Sequence, residues 1–187
     1  MTTSSHTRRI VLCGLFTALI AIGAFLQIPV PYLDYFTLQF LFVVLAGMLL
    51  GARQGAAAVG AYVVLGLAGV PIFAAGGGLQ YVLRPSFGYL LGFLVTAWLV
   101  GLLCAHTNAT RFAQLLPIAL AGMAVTYLIG FAYKYVILNA YLGQPTPLGV
   151  VLLSAFPLDL PGDTVLCILA SGLAVRLRAA LHREGLL

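Results

Sequence analysis

The chain has 187 residues, of which 63% are hydrophobic and only 7% are charged, and its formal net charge is +5. Its mean hydropathy is +1.11, whereas soluble domains usually carry about 25% charged residues. This composition excludes a water-exposed globular surface and indicates an integral membrane protein. Binding of nucleic acid would need clustered Lys and Arg on a soluble face, which the sequence lacks, so we interpret the positive charge as a determinant of membrane topology.

Apolar runs along the chain predict six membrane-spanning helices, since one span needs about 20 apolar residues. The prediction is an all-α bundle that forms a single transmembrane domain over residues 1–187. Pro29 is expected to end the first helix and Pro71 the third, and Pro117 is expected in the first turn of the fifth. The six helices are predicted at residues 10–28, 37–52, 55–69, 86–105, 115–139 and 162–181.

The distribution of charges predicts the orientation of the six helices. Cytoplasmic loops of membrane proteins carry an excess of Lys and Arg. One side of the predicted bundle holds Arg84 and Lys134 together with the carboxylates of Asp34, Asp159 and Asp163. The rule therefore places both termini on the cytoplasmic side of the cell membrane. That cytoplasmic side holds Arg8, Arg9, Arg53, Arg111, Arg176, Arg178 and Arg183.

Residues 69–85, between the third and fourth predicted helices, are rich in Gly and Pro but also apolar. Irregular backbone at membrane depth is tolerated where it is buried in protein or lines a cavity, and such interruptions often mark substrate sites in transporters. We expect a partly buried loop that covers a ligand site. The alternative is a tight external loop that packs on the bundle.

Polar residues on the outer side of the predicted bundle form a candidate ligand site. Lys134 lies roughly 25 Å along the fifth helix at 1.5 Å per residue, where it either faces the bundle interior with a partner or extends to the lipid headgroups. Asp163 is expected to open the last helix, where it could cap the helix, pair with a cation or accept ligand N–H groups. Asp159 is expected to be solvent-exposed. The candidate ligand-binding residues are Asp163, Arg84, Lys134, Tyr89, Gln80, Asn139 and Gln39.

Other chemistry is not indicated by the sequence. Cys13, Cys104 and Cys167 lack the spacing of a metal site, and no resident cofactor is expected. There is no phosphate-binding loop and no hydrolytic motif, so any energy source other than an ion gradient would come from a partner chain. On the first helix, Gly14 and Ala18 form a small-xxx-small pair that lets helices approach closely. It predicts either internal packing or a docking face for another membrane subunit.

Several motifs, in order along nearly the whole chain, resemble the BioY family, the biotin-specific substrate-binding subunits (S components) of energy-coupling-factor transporters. The motif at residues 84–93, Arg-Pro-Ser-Phe-Gly-Tyr-Leu-Leu-Gly-Phe, resembles the Gly-Pro-Thr-x-Gly-Tyr segment of that family. The other motifs are Pro29-Val30-Pro31 with Thr37-Leu38-Gln39, residues 47–55, Tyr62 with residues 66–73, and Phe156-Pro157 with Pro161-Gly162-Asp163.

The resemblance implies a six-helix S component that captures biotin on the outer side of the membrane. Such subunits pair with a transmembrane coupling protein and two ATPases, so ATP would be used only by the partners, and Gly14 and Ala18 would face the coupling subunit. Asp163 is retained from the family pattern, and we expect it to read the ureido ring together with Gln80 and Asn139. Tyr89 would enclose the bicycle, and Arg84 or Lys134 would meet the valerate carboxylate.

One position departs from the family pattern. Family members often carry a lysine one turn after the aspartate of the last helix, and this chain has Leu166 there. We hypothesise that Lys134 supplies the missing charge, because it reaches the same side of the membrane. The alternatives are a carrier for a different vitamin or small organic acid, an intramembrane enzyme with Asp163 as general base, and a structural assembly subunit that binds no ligand.

Overall fold

The computed structural model describes residues 2–29, 35–155 and 158–183. Within them, short strands β1 and β2 follow the first helix, a 3-10 helix precedes α4, and a π-helical turn continues α5. The α-helices are α1 (Thr2–Phe25), α2 (Gln39–Leu50), α3 (Ala52–Leu67), α4 (Phe87–Thr107), α5 (Phe112–Val136), α6 (Leu148–Leu153) and α7 (Asp159–Arg183). The strands are Gln27–Pro29 and Tyr35–Thr37, the 3-10 helix is Leu79–Leu83 and the π-helical turn is Ile137–Tyr141.

The centre of the bundle is α2, which packs against α1, α3, α4 and α7. Its sequence, Gln-Phe-Leu-Phe-Val-Val-Leu-Ala-Gly-Met-Leu-Leu, is apolar on every side, which is the pattern of a helix buried all round. Phe40, Val43, Val44 and Met48 are at most 1% exposed. Because protein surrounds α2, its 12 residues need not match the thickness of the bilayer.

Small residues allow the long helices to approach closely. On α4, Gly92 lies against the backbone of Thr126 on α5, and Gly101 lies against the backbone of Ala52 at the start of α3. The hydroxyls of Thr96 and Thr126 lie 2.7 Å apart, and that of Thr96 also donates to the carbonyl of Gly122. These polar groups are satisfied within the bundle, as an apolar surrounding requires.

One end of the bundle is held together by Arg178 near the end of α7. Its guanidinium donates to the carbonyl of Met48 on α2 and to that of Ala109 between α4 and α5. Carbonyls at helix ends lack partners within the helix. Arg178 supplies partners and joins three elements at the end of the molecule opposite the start of α4.

Four helices among the described residues are long and apolar enough to cross a membrane. Apolar side chains remain exposed on them, including Ile10, Leu128 and Val165, as expected for surfaces that face lipid rather than water. The chain is therefore an all-helical membrane protein. The four candidate spans are Thr7–Phe25, Phe87–Thr107, Phe112–Tyr141 and Asp159–Ala179.

The structure changes several helix limits that the sequence predicted. The first helix ends at Phe25 because the chain turns into the antiparallel hairpin of β1 and β2, where Gln27 pairs with Thr37. α5 begins at Phe112, which puts Pro117 beyond the first turn. α7 begins at Asp159. The expectation that Asp163 opens the last helix is therefore wrong, since this residue lies one turn inside it.

The Gly- and Pro-rich segment at residues 69–85 folds back onto α3. Phe73 is 1% exposed and its ring sits against Gly66, where a Cβ would overlap it. The rings of Phe73 and Tyr81 have centroids 4.5 Å apart, and Tyr62 of α3 packs edge-on against Phe73 at 5.3 Å. These aromatic contacts anchor the segment over the end of the bundle where α4 begins.

Candidate small-molecule pocket

A pocket opens at the end of the bundle where α4 and α7 begin and α5 ends. Strand β2 and the segment at residues 69–85 cover it, and side chains of α2 form part of its wall. Seven of its 15 lining residues are aromatic and six others are polar or charged, and aromatic walls with placed polar groups are typical of small-molecule sites. The lining consists of Tyr35, Phe36, Thr37, Gln39, Phe40, Ala74, Tyr81, Ser86, Tyr89, Leu90, Phe93, Tyr127, Lys134, Asp159 and Asp163.

Asp163 and Tyr127 form the central polar pair of the pocket. The hydroxyl of Tyr127 on α5 donates to Oδ2 of Asp163 on α7 over 2.8 Å. A carboxylate has about four acceptor sites on its two oxygens, so this bond leaves Asp163 able to accept further N–H groups. Because Tyr127 is 6% exposed, its ring and hydroxyl hold the carboxylate in a defined position.

Tyr89 and its neighbours form an aromatic wall beside that pair. Tyr89 meets Tyr127 and Phe131 edge-on, with ring centroids 5.9 and 6.4 Å away. Tyr89 lies directly over Gly130, where a Cβ would come within 2.6 Å of the ring. Edge-to-face packing of this kind orients rings specifically, so the wall is a rigid surface against which an apolar ring system could lie.

Gln39, the first residue of α2, lines the pocket and connects it to the covering segment. Its amide donates to the hydroxyl of Tyr62 over 2.7 Å, and that hydroxyl donates to the carbonyl of Ile72 over 3.0 Å. The hydroxyl of Thr37 at the end of β2 donates to the amide oxygen of Gln39 over 3.1 Å. Gln39 is 3% exposed and thereby links both covering elements to α2.

Lys134 lies in the last turn of α5 and lines the pocket. Its ammonium donates to the hydroxyl of Ser154 over 3.1 Å, and that hydroxyl donates to the carbonyl of Val151 on α6. This placement agrees with the interpretation in which Lys134 faces the protein interior, and not with one in which it extends to lipid headgroups.

Three candidate residues from the sequence lie near the pocket but outside its lining. Arg84 is exposed and places its guanidinium carbon 5.4 Å from the ring centre of Tyr81. Gln80 is exposed and donates to the carbonyl of Gly77. Asn139 donates to the carbonyl of Thr146 and accepts from the backbone N–H of the same residue. Direct ligand contact by these three side chains stays a prediction.

The structure also brings residues to the pocket that the sequence analysis did not select. Ser86 lies one turn before Tyr89, and this spacing on α4 was a signal that could have identified it. Asp159 is half-buried and lines the pocket, so its expected exposure is wrong. Phe36 and Phe93 come from β2 and α4, and no local pattern in the sequence brings them together.

A second concavity runs along α1 and is almost wholly apolar. Gly14 and Ala18 lie on its floor beside Thr17, with Leu65 and Val70 on its far side. The hydroxyl of Thr17 donates to the carbonyl of Ala58 on α3, so α1 and α3 are joined along the groove. Gly14 and Ala18 themselves stay exposed, so they are not buried in internal packing among the described residues, and their role as a docking face stays a prediction.

Together, the apolar bundle and its covered polar and aromatic pocket define a membrane protein that binds a small molecule. A family model described as the BioY family matches residues 1–183. The chain belongs to the BioY family.

Individual relatives agree with this assignment. The chain is 37% identical over 177 residues to a probable biotin transporter BioY of Lysinibacillus sphaericus, covering 95% of this chain and 90% of the relative. It is 34% identical to the biotin transporter BioY of Rhodobacter capsulatus, with 96% and 97% of the two chains covered.

The fold also matches a solved structure. The crystal structure of the S component for biotin from an ECF-type ABC transporter superposes with a TM-score of 0.84 at 29% identity, over 96% of this chain and 95% of that one. The expected family resemblance is thus confirmed.

Proposed function

We propose that this chain is the biotin-binding S component of an energy-coupling-factor transporter, which captures biotin for uptake across the cell membrane. The observation that carries the proposal is the full-length similarity to biotin transporters, combined with a covered pocket that suits a small ring system. Within this proposal the chain transports biotin and does no chemistry on it, so biotin is the cargo and no resident cofactor is needed.

Biotin offers a ureido ring with two N–H donors, an apolar bicycle and a carboxylate. Asp163, held by Tyr127, accepts the ureido N–H groups, and the Tyr89 wall encloses the bicycle. Lys134 meets the carboxylate. The ureido end of biotin needs hydrogen-bond acceptors and its carboxylate end needs a positive charge. The pocket offers both, with carboxylates on α7 and an ammonium on α5.

The neighbouring candidate residues position the covering elements in this proposal. Gln80 and Asn139 bond to loop carbonyls, and Gln39 bonds to Tyr62. Arg84, at the exposed edge, attracts the anionic ligand to the pocket mouth, since a surface charge mainly accelerates encounter. The segment at residues 69–85 acts as the lid.

Lys134 compensates for Leu166 in this scheme. Leu166 is 6% exposed and packs in the apolar core, so its position provides no charge to the ligand. Lys134 lines the pocket from α5 instead. The ammonium of Lys134 thus keeps a positive charge at the pocket, although it enters from α5 instead of from α7.

We also propose that α1 to α5 and α7 each cross the membrane, which gives six spans with both termini in the cytoplasm. The contact of Arg178 with Met48 and Ala109 supports this arrangement, because it joins the ends of three elements at the Arg-rich side. The pocket then faces outward.

The partners in this proposal are a transmembrane coupling subunit and two ATPases, which supply the energy that this chain lacks. The groove at Gly14 and Ala18 is the docking face for the coupling subunit. Its small residues would let a partner helix approach the α1 backbone closely.

The test is equilibrium binding of labelled biotin to the detergent-purified chain, with riboflavin and thiamine as competitors. We expect saturable binding that unlabelled biotin displaces and the other two vitamins do not. A folded sample that binds riboflavin or thiamine in preference to biotin would assign the scaffold to a different vitamin. Absence of binding to all three would contradict the proposed capture role.

A further inference from the structure

Ser86 is a polar pocket residue whose hydroxyl the fold itself does not use. It lines the pocket directly before α4. Its hydroxyl oxygen is buried, and within the part of the chain that the structure describes no group forms a hydrogen bond with it. Buried polar side chains are normally hydrogen-bonded, so each exception needs an explanation.

Helix capping does not explain this serine. A serine at the N-cap usually has extended backbone angles, and its oxygen accepts a bond from the second or third N–H of the helix. Ser86 has helical angles, φ −74° and ψ −16°, and its side chain makes no capping bond. The hydroxyl therefore does not serve as a helix cap, although the residue occupies the capping position.

The surroundings of Ser86 favour a negatively charged oxygen as its partner. The 21 residues of α4 begin directly after it, and the N-terminus of a helix carries a partial positive charge that attracts anions. On α7, Asp159 is the first residue and Asp163 lies one turn inside the helix, and their carboxylates would repel an anion. A ligand with one N–H end and one carboxylate end would thus place its carboxylate toward α4.

We propose that the hydroxyl of Ser86 donates a hydrogen bond to the carboxylate of bound biotin at the N-terminus of α4. The proposal rests on the proposed function and adds to it a residue that reads the acid group. The Ser86 hydroxyl acts together with Lys134. Lys134 supplies the positive charge that attracts the carboxylate, and the hydroxyl and the helix terminus orient it. Ligands that lack the acid would leave the hydroxyl without a partner.

Equilibrium binding to the purified full-length chain tests this with two ligands, biotin and an analogue whose carboxylate is replaced by a methyl group. Ser86→Ala should weaken biotin binding about tenfold to a hundredfold, the range for a hydrogen bond to a charged group, and should leave binding of the analogue unchanged. Ser86→Thr, which keeps the hydroxyl, should retain selectivity for biotin. Ser171→Ala is the matched control, because Ser171 is buried in α7 and its hydroxyl is satisfied by the carbonyl of Cys167.

A second readout is the melting temperature of the ligand-free protein. Since Ser86→Ala removes a buried hydroxyl without a partner, it should not lower the melting temperature of the ligand-free protein. The rise in melting temperature that biotin causes should be smaller in this variant than in the wild type. If Ser86→Ala yields no folded protein, Ser86→Cys replaces it, because a thiol has nearly the same shape but donates weakly.

Equal weakening of both ligands, or unchanged biotin binding in Ser86→Ala, would overturn the proposal while leaving the proposed function intact. Failure of the wild-type chain to bind biotin would instead overturn the proposed function, and the Ser86 assignment with it. The two failures are therefore distinguished by the wild-type measurement alone.

Discussion

At the scale of single residues, the pocket depends on a few polar groups held by aromatic neighbours. Asp163 is fixed by the hydroxyl of Tyr127, and Lys134 is fixed by Ser154. Each charge already has a polar partner within the protein, so the orientation of each group is set before a ligand arrives. Such preorganisation lowers the entropy cost of binding, and it makes the two charges the most informative positions for substitution.

Asp163→Asn tests the ureido contact. The amide keeps the size of the side chain but loses the charge and half of its acceptor capacity, so biotin affinity should fall about 30-fold or more, given a cost of about 2–5 kcal/mol for disrupting a buried charged hydrogen bond. Isothermal titration with biotin measures the change.

Tyr127→Phe should give a smaller loss of affinity than Asp163→Asn, because it removes only the group that positions the carboxylate. Its matched control is Tyr135→Phe, since Tyr135 is 40% exposed on the same helix and lies outside the pocket. Wild-type affinity in Asp163→Asn would contradict the proposed role of the carboxylate.

Lys134→Ala tests the compensation for Leu166. Loss of the ammonium should lower biotin affinity about tenfold, as expected for a hydrogen bond to a charged group. Arg53→Ala, which removes one positive charge at an exposed position outside the pocket, serves as the control for net charge. If Lys134→Ala binds biotin as tightly as the wild type, Lys134 does not replace the family lysine.

At the scale of elements, side-chain contacts join the two covering segments to the helices. The hairpin of β1 and β2 is tied to α2 through Thr37 and Gln39. The segment at residues 69–85 is tied to α3 through the ring of Phe73. Backbone bonds within a segment, such as the two between Phe73 and Gly76, set its local shape, whereas its side-chain anchors help to fix it to the helices.

Gly66→Ala tests the anchor of the lid segment. The added methyl group would overlap the ring of Phe73, and overpacking in a well-packed core costs about 1–3 kcal/mol. We expect a lower melting temperature in detergent and weaker biotin binding, because the displaced segment carries Ala74 and Tyr81 of the pocket.

Gly60→Ala is the control for Gly66→Ala on the same helix. Its added methyl group would make an ordinary contact at 3.7 Å with Leu94, and Ala favours a helix over Gly, so the melting temperature should not fall and binding should stay at the wild-type level. The same behaviour in Gly66→Ala and Gly60→Ala would show that the Phe73 anchor does not control the pocket.

At the scale of the whole molecule, the ligand pocket and the groove at Gly14 and Ala18 are different surfaces. The pocket lies where α4 and α7 begin, whereas the groove follows α1 and its contact with α3. No residue is shared by their two linings among the described part of the chain. Capture of biotin and docking to a coupling subunit should therefore be separable by substitution.

Gly14→Leu tests that separation. A methyl group added at Gly14 meets nothing within 4 Å in the described structure outside its own helix, so the fold and biotin binding should be preserved. The larger side chain would fill the groove, and biotin uptake by cells that also express the coupling subunit and ATPases should fall to background. Val11→Leu, at a residue of α1 that is 63% exposed and outside the groove, should transport normally. Full uptake by Gly14→Leu would place the docking face elsewhere.

The sequence predicted the membrane environment and the all-helical class correctly because both depend on local composition. It also selected Asp163, Lys134, Tyr89 and Gln39, because polar residues are conspicuous in an apolar chain. All four line the pocket, and their contact with a ligand stays a prediction. The sequence set Asp159 aside, because the predicted start of the last helix was three residues too late. It did not select Ser86, because a serine before a helix usually serves as a cap.

Composition, hydropathy and ordered motifs by themselves determined that this chain is a helical membrane protein of the BioY family, since these properties depend on residues that are close in sequence. Only the tertiary structure decided which polar groups share one pocket. Which residues line the pocket depends on how far each helix is rotated and shifted relative to its neighbours. The additional first turn of α7 brings Asp159 to the pocket lining, where Ser86 also lies, whereas the side chains of Gln80 and Asn139 bond to loop carbonyls.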